Sequence, residues 1–182
     1  KGANPKHPNV AESMNNLGLV LGSQGKCAQS DDLFRRSLAI RKRALGPDHI
    51  DVATSMNNLA LSFKAQGEYK RAERLYRRGK AIYENAHGHC HPDVALSLGN
   101  LGVLYSDLGK YAKAEEHLEL ALSTNEEVYG LDHSEVARDL YNLSQVYVQN
   151  SKFEQAETVC KRAMTIWENT LGPDHPRFAS SA

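Results

Sequence analysis

Three histidines and a cysteine stand close together in the segment "HGHCH" at residues 87–91. Imidazole nitrogens and a thiolate are ligands that Zn²⁺ prefers, and four of them would complete a tetrahedral site. Ligands this close in sequence reach one ion only if the loop wraps tightly around it, and no second cluster of such residues in the sequence supports the set. We therefore expect no bound metal here.

A second segment with the residue types of a binding loop is "GSQGKC" at residues 22–27. A phosphate-binding loop requires a glycine five residues before the glycine of the Gly-Lys pair, and a serine or threonine after the lysine. Val20 and Cys27 occupy these two positions, so the motif is incomplete. The sequence also contains no HExxH motif, no nucleophile elbow and no paired catalytic carboxylates. We expect neither enzymatic activity nor a cofactor.

The parts of the sequence around these loops repeat at a fixed interval. Histidines recur every 42 residues, at His7, His49, His91, His133 and His175. A repeat of this length predicts a stacked array of similar structural units. We place four repeats at 7–48, 49–90, 91–132 and 133–174, with a partial fifth at 175–182, in a single domain that spans residues 1–182.

Within each repeat, apolar residues recur at helical spacing in two blocks separated by a short polar turn. The third repeat shows this most clearly, with Leu98, Leu101 and Tyr105 followed by Ala114, Leu118 and Ala121. The pattern resembles a tetratricopeptide repeat and predicts an all-α fold, a right-handed superhelix of antiparallel helix pairs, or α-solenoid. The usual period is about 34 residues, so we expect a longer second helix, near 26–45 in the first repeat. Ser30 replaces a small apolar residue, which predicts that the first repeat is the loosest.

Short related loops separate the repeats, such as "GPDHID" at 46–51 and "GLDHSE" at 130–135. Glycines stand where each second helix must stop, which predicts the left-handed conformation at Gly46, Gly88, Gly130 and Gly172. Residues after the histidine suit the start of the next helix: Pro8, Pro92 and Pro176 at its first position, then Asp51, Asp93 and Glu135 near its positive end. We interpret the loop histidine as structural.

A second turn joins the two helices of each repeat and carries a glycine in three copies, Gly25, Gly67 and Gly109. In the fourth copy Ser151 follows Asn150. A non-glycine residue forced to a positive φ costs on the order of 1 kcal/mol, and asparagine tolerates that conformation better than serine. We therefore predict that Asn150 adopts the positive φ in this turn.

Charge and composition limit the possible partners. The sequence has 41% hydrophobic and 24% charged residues and no net charge, yet residues 1–90 carry +7 and residues 91–182 carry −7. No apolar run is long enough to span a bilayer, and the three cysteines form no regular framework, so we expect a cytosolic or nuclear protein, with the cytoplasm as its location. The arginines lack interleaved aromatic residues, which argues against nucleic-acid binding. The charge asymmetry raises the alternative of weak head-to-tail self-association.

Stacked helix pairs form an extended concave surface that commonly binds peptides, and in this repeat type the first helices line it. Amides at repeated positions can donate to and accept from a peptide backbone, which makes Asn15 and Asn57 candidates for peptide contact. An alternative is that these two residues only satisfy neighbouring backbone groups. Asparagines also recur at the adjacent position, as Asn16, Asn58, Asn100 and Asn142. For these we favour a hydrogen bond between repeats.

The stretch "GPDHIDVATSMNNLALSFKAQGEYKRAERLYRRGKAIYE" resembles the 42-residue tetratricopeptide repeats of kinesin light chains, and the likeness covers nearly the whole chain. In that family, asparagines of the "NNLA" stretch line a groove that binds cargo-adaptor peptides, typically a tryptophan among acidic residues. The resemblance implies this role for Asn15 and Asn57, whereas Gly99 and Tyr141 replace that asparagine in the third and fourth repeats. The predicted peptide-binding residues are Asn15, Asn57, Leu61, Lys64, Val103, Arg138 and Tyr141. A self-associating or sensor segment of a larger switch protein is the alternative.

Overall fold

The computed structural model describes residues 8–171, and every regular element in that range is an α-helix. The eight helices are α1 Pro8–Ser23, α2 Cys27–Leu45, α3 Ile50–Ala65, α4 Tyr69–His87, α5 Pro92–Asp107, α6 Tyr111–Tyr129, α7 Ser134–Gln149 and α8 Phe153–Leu171. First helices have 16 residues and second helices have 19, so the prediction of a longer second helix is confirmed. None of the helices in this part of the chain is long and apolar enough to cross a lipid bilayer.

The chain divides into two compact units. Unit 1 is Lys1–Gly88 and contains α1–α4, and unit 2 is His89–Ala182 and contains α5–α8. The boundary between residues 88 and 89 lies two residues before the predicted junction of the second and third repeats, at 90 and 91. The single domain over residues 1–182 stays a prediction. The predicted partial fifth repeat at 175–182 lies outside the described residues. The predictions for His7 and Gly172 also concern residues outside the described range.

Helix pairs close where a small residue on the first helix meets the second helix. In the first repeat, Ser30 is buried, and its Oγ donates a hydrogen bond to the carbonyl oxygen of Gly18 at 2.7 Å. Ser37 makes the matching bond about two helical turns further on, to the carbonyl oxygen of Ala11 at 2.7 Å. Because both hydroxyls are satisfied, serine replaces alanine here without leaving a buried polar group unpaired. That the first repeat is the loosest stays a prediction.

The loop histidines cap the first helices. Nδ1 of His49 accepts a hydrogen bond from the amide of Asp51 at 3.1 Å, and His91 and His133 do the same two residues ahead at 3.2 Å. Each imidazole thus pairs an amide that the helix itself leaves open at its first turn. These caps give the three histidines a structural role, as predicted. Pro92 at the start of α5 and the acidic residues in the first turns are confirmed.

The glycines that end the second helices have positive φ but not the predicted left-handed helical conformation. Gly46, Gly88 and Gly130 have φ of 91°, 82° and 83° with ψ of 161°, 177° and 172°. Each glycine amide still donates to the carbonyl four residues back, so the helix continues up to the glycine. The extended ψ then straightens the chain toward the next helix, in a region of backbone space that is essentially restricted to glycine.

The turn within the fourth repeat contradicts the prediction for Asn150. Asn150 has φ −93°, and Ser151 adopts the positive φ of 59°. Backbone hydrogen bonds fix the register: the amide of Lys152 donates to the carbonyl of Tyr147 at 2.8 Å, as Lys110 does to Tyr105 in the third repeat. Asn150 is needed elsewhere, since its Nδ2 donates to Glu115 Oε1 at 2.9 Å. The turn geometry therefore outweighs the preference of asparagine for positive φ.

Candidate functional site

The seven predicted site residues all lie on first helices and divide between the two units. In unit 1, Asn15 is on α1, and Asn57, Leu61 and Lys64 are on α3. In unit 2, Val103 is on α5, and Arg138 and Tyr141 are on α7. One of them, Leu61, lines a pocket described below, and the two units differ in what they place around these positions.

Unit 1 contains an apolar pocket between α1 and α3 with a volume of about 320 Å³. We call it the α1–α3 pocket, and it is lined by Gly18, Leu19, Gly22, Ser23, Cys27, Ser30, Phe34, Asn58, Leu61, Ser62 and Ala65. Leu19 and Leu61 are 42% and 47% exposed at its rim. Gly22, which lines the pocket, has no side chain, whereas the equivalent residues of the other repeats are Lys64, Ser106 and Val148. Of the predicted site residues, Leu61 lines it.

Asn15 and Asn57 are buried at 5% and 6% exposure. Nδ2 of Asn58 donates to Oδ1 of Asn15 at 2.9 Å, so the predicted hydrogen bond between repeats is present in unit 1. Asn57 fills space left by Gly79, where a Cβ would stand 2.7 Å from Asn57 Oδ1. Burial and close packing favour a framework role for both asparagines, and their contact with a peptide stays a prediction.

A buried polar cluster next to the pocket was not identified from the sequence. Oδ1 of Asp31 accepts hydrogen bonds from Ser62 Oγ at 2.5 Å and from Gln66 Nε2 at 3.2 Å. This ties α2 to the end of α3 and fixes one wall of the α1–α3 pocket. The sequence did contain a sign of this cluster. Ser62 is a polar residue at a repeat position where the other three repeats have Val20, Leu104 and Val146.

In unit 2, the predicted residues have neighbours that already engage them. The Arg138 guanidinium pairs with Glu135 and lies 3.4 Å from Asp139 Oδ1, and Tyr141 is 44% exposed with its ring 5.6 Å from that of Trp167. Trp167 packs in a buried apolar cluster of α7 and α8. Val103 is partly buried on α5. Arg138 is therefore held in an ion-pair network, and Tyr141 presents the more open surface.

Asp139 is a buried carboxylate that the sequence did not single out. Its Oδ2 accepts a hydrogen bond from Asn125 Nδ2 at 2.6 Å, across the junction between α6 and α7. Burial raises the pKa of the Asp139 carboxyl above its usual value, while Arg138 and Asn125 act in the opposite direction. The equivalent residues of the other repeats are Ser13, Ser55 and Ser97, so an acid in this column was the signal.

Reactive thiol chemistry finds no support at the exposed cysteine. Cys27, Cys90 and Cys160 are all free, and Cys90 is the exposed one. The hydrogen bond with Glu127 raises the pKa of the Cys90 thiol, whereas a nucleophilic cysteine needs a lowered pKa. That residues 87–91 hold no metal stays a prediction.

The helix pairs, their capping loops and the 42-residue register define a class of protein that sequence comparison identifies. The chain belongs to the tetratricopeptide repeat family, whose sequence profile matches residues 9–85, 80–127 and 93–159. No curated protein sequence matches the chain. The tetratricopeptide repeat fold is generally a non-enzymatic scaffold for interactions between proteins.

Solved structures give the particular type of repeat. BtubC (BKLC) from P. vanneervenii is 25% identical with a TM-score of 0.79, over 93% of this chain and 68% of that protein. A putative kinesin light chain of Podosopora anserina with nearly identical TPR-like repeats is 23% identical with a TM-score of 0.79, over 96% and 83%. The apo form of RapI is 21% identical with a TM-score of 0.76, over 93% and 58%. The chain is thus a tetratricopeptide repeat array of the kinesin light chain-like type.

Proposed function

We propose that the chain is a non-enzymatic scaffold that binds an extended peptide segment of a partner protein along its first helices. The observation that carries this proposal is the α1–α3 pocket, an open apolar cavity in a family whose concave surfaces bind peptides. The resemblance to kinesin light chains suggests a segment like that of a cargo adaptor. A cytoplasmic location is part of the proposal and agrees with three free cysteines.

The pocket accounts for most of the expected affinity. Burying one partner side chain of the size of leucine or phenylalanine contributes about 1.5–3 kcal/mol. Leu19 and Leu61 lose their solvent exposure at the same time, so the contact is apolar on both sides. The pocket volume of about 320 Å³ accommodates one large side chain, which fits a single anchor residue. Lys64, Val103, Arg138 and Tyr141 stay predicted contacts of such a segment.

A matched pair of neighbouring residues on α1 tests the proposal. Leu19 lines the pocket, and Val20, 51% exposed, does not. We expect Leu19→Glu and Leu61→Glu to abolish enrichment of peptides from a diverse library, and Val20→Glu to retain it, because only the first two place a charge in the cavity. All three changes are at exposed positions, so thermal melting should be nearly unchanged. Equal enrichment by Leu19→Glu and the parent protein would contradict the proposal.

The asparagines need a separate measurement, because their two roles predict different results. If Asn15 only bridges the repeats, Asn15→Ala lowers the melting temperature and leaves peptide affinity unchanged at temperatures where the fold is intact. If Asn15 contacts the peptide, affinity falls by a larger factor than stability explains. Asn57→Ala distinguishes the same two roles at the second copy. The exposed neighbour Asn16 provides the control substitution.

Self-association is the second candidate function, favoured by exposed apolar residues on α1. Leu17 is 50% exposed, whereas its counterpart Leu59 in the next repeat is 4% exposed. Together with the +7 and −7 halves of the sequence, this surface fits head-to-tail association of copies. Sedimentation velocity across a salt series tests it, since charge-driven association weakens as ionic strength rises. A monomer at every salt concentration would reject this candidate.

A further inference from the structure

Unit 1 has a second groove, between its two second helices. This α2–α4 groove has a volume of about 480 Å³ and is lined by Arg35, Lys42, Met56, Leu59, Phe63, Arg71, Arg74, Leu75 and Arg78. It shares no lining residue with the α1–α3 pocket. Five of its nine lining residues are cationic and the other four are apolar. Such a combination accepts a ligand that carries both negative charge and apolar groups.

The floor of the groove holds two of the cations in place. The guanidinium carbons of Arg35 and Arg71 lie 5.2 Å and 3.9 Å from the centre of the Phe63 ring, within the range of cation–π attraction. Arg35 also pairs with Asp31 at 3.4 Å, and Arg71 pairs with Glu68. These contacts orient the cationic side chains before any ligand arrives, which lowers the entropic cost of binding.

Two further cations line the groove and differ from Arg35 and Arg71 in their pairing. Within residues 8–171, neither Lys42 of α2 nor Arg74 of α4 forms an ion pair or a hydrogen bond through its charged group. Arg74 also lines the adjoining surface with Lys70, Glu73 and Arg77, and three of these four residues are cationic. Glu73 pairs with Arg77 there at 3.1 Å. Uncompensated cations side by side repel one another, and an anion between them relieves that repulsion.

We propose that the α2–α4 groove is a second docking site, which binds an acidic segment of a partner protein by pairing its carboxylates with Lys42 and Arg74 and seating an apolar side chain near Leu75. This surface is separate from the first-helix face of the proposed function. Charge complementarity is the main argument. Because Met56, Leu59 and Phe63 are only 3–4% exposed, the partly exposed Leu75 is the apolar lining residue that an apolar side chain of the segment would contact.

Two other occupants fit the groove less well. Sequence-tolerant binding of single-stranded nucleic acid relies on open aromatic faces for stacking, whereas Phe63 is 3% exposed and lies beneath Arg35 and Arg71. A second copy of this chain would have to supply acidic residues from unit 2. There, Glu115 already pairs with Lys152 at 2.6 Å and Glu126 with Arg162 at 2.6 Å.

Fluorescence anisotropy with a labelled peptide that carries glutamates on both sides of a single leucine tests the proposal. We expect Lys42→Glu combined with Arg74→Glu to weaken binding about tenfold or more. The matched control is Arg36→Glu with Arg43→Glu, two changes on exposed positions of α2 outside the groove that alter the net charge equally. This control should bind the peptide within about twofold of the parent, apart from the general charge effect.

Circular dichroism melts establish that each variant folds, so that loss of binding is not loss of structure. Two results would overturn the proposal. One is an equal loss of peptide binding by the groove variant and by the Arg36→Glu, Arg43→Glu control, and the other is equal affinity of the parent protein for a peptide with glutamines in place of the glutamates. Tighter binding of a single-stranded oligonucleotide that depends on Lys42 and Arg74 would assign the groove to nucleic acid instead. Concentration-dependent self-association removed by the same double variant would assign it to contact between copies, which also overturns the proposal.

Discussion

The two units build the junction between successive repeats at the same helix positions but with opposite charge. In unit 1, Arg41 of α2 donates to the Asp51 carbonyl at 2.9 Å and to Ser55 Oγ at 3.0 Å. In unit 2, Asn125 of α6, in the position of Arg41, donates to the carboxylate of Asp139, in the position of Ser55. At these two junctions a donor on the second helix thus pairs with an acceptor on the next first helix. Which of the two carries charge is free to vary.

Removing the donor should cost more in unit 2 than in unit 1. Asn125→Ala leaves the buried Asp139 carboxylate without its amide donor, and we expect a loss of about 3 kcal/mol in the free energy of unfolding. Arg41→Ala should cost about 1–2 kcal/mol, because the Ser55 hydroxyl retains Ser37 Oγ as a neighbour at 3.4 Å. Urea denaturation of both variants makes the comparison. Equal losses would mean that the charge on Asp139 is irrelevant to the junction.

The two units also differ in the space around the glycine at which the first helix packs against the second helix of the same repeat. A Cβ at Gly102 would stand 2.6 Å from Leu118 Cγ and 3.2 Å from the Ala114 carbonyl oxygen. At the same repeat position in unit 1, a Cβ at Gly18 would mainly meet the outer edge of the Phe34 ring, at 2.7 Å. The first contact involves backbone and the root of a side chain, whereas the second involves a ring that can turn.

We therefore expect Gly102→Ala to destabilise the protein by about 2 kcal/mol, since overpacking outweighs the better helix propensity of alanine. Gly18→Ala should change the free energy of unfolding by less than about 1 kcal/mol, because the two effects nearly cancel. Thermal and urea unfolding measure both. A larger loss at Gly18 than at Gly102 would show that Phe34 is held as rigidly as backbone.

The charged acceptor of unit 2 also predicts a pH dependence that unit 1 lacks. Because burial raises the pKa of Asp139, the folded state binds its proton more tightly than the unfolded state does. Stability from this group is thus greatest at low pH, and it is lost as pH rises from about 4 through the raised pKa.

Asp139→Asn removes that loss, because asparagine keeps an oxygen for Asn125 and carries no charge. The free energy of unfolding of the variant, relative to that of the parent protein, should increase between about pH 4 and pH 7. The increase should be smaller than the loss of about 2 kcal/mol expected for Gly102→Ala. Asp132→Asn, at an exposed position of the same unit, is the control for the removal of one carboxylate. A relative stability that is flat with pH would mean that Asp139 is not penalised by burial.

The sequence predicted the fold well because the information repeats. The 42-residue period, the helix pairs, a structural loop histidine and the longer second helix all follow from patterns present in several copies. Exposure is different, because it depends on the neighbouring repeat. Asn15 and Leu61 look equally accessible on a helical wheel, yet Asn15 is 5% exposed and Leu61 is 47% exposed. The polar exceptions Ser62 and Asp139 were visible as departures from their columns, but only the packing shows what they bind.

The prediction for Asn150 failed for a related reason. It compared the intrinsic preferences of two neighbouring residues for positive φ, when the shared hydrogen-bonded turn had already fixed which position needs it. Gly25, Gly67 and Gly109 stand at intervals of 42 residues, and the same interval leads to Ser151. The position in the 42-residue repeat thus predicts the positive φ better than the residue type does. In unit 2 this position carries backbone strain at Ser151 of the fourth repeat and none at Gly109 of the third.

The smallest predicted effect uses this contrast between the two repeats of unit 2. Ser151→Gly should raise the free energy of unfolding by up to about 1 kcal/mol, because glycine reaches positive φ without steric penalty, although it also loosens the unfolded chain. Gly109→Ser, at the same position of the third repeat, should lower it by a similar amount. A Cβ at Gly109 would meet nothing within 4 Å, so that variant measures the backbone penalty without a packing change. Opposite shifts of equal size in the melting temperature, measured by differential scanning calorimetry, would show that the two turns impose the same backbone penalty on a serine. A stabilising Gly109→Ser would show that positive φ is not what strains Ser151.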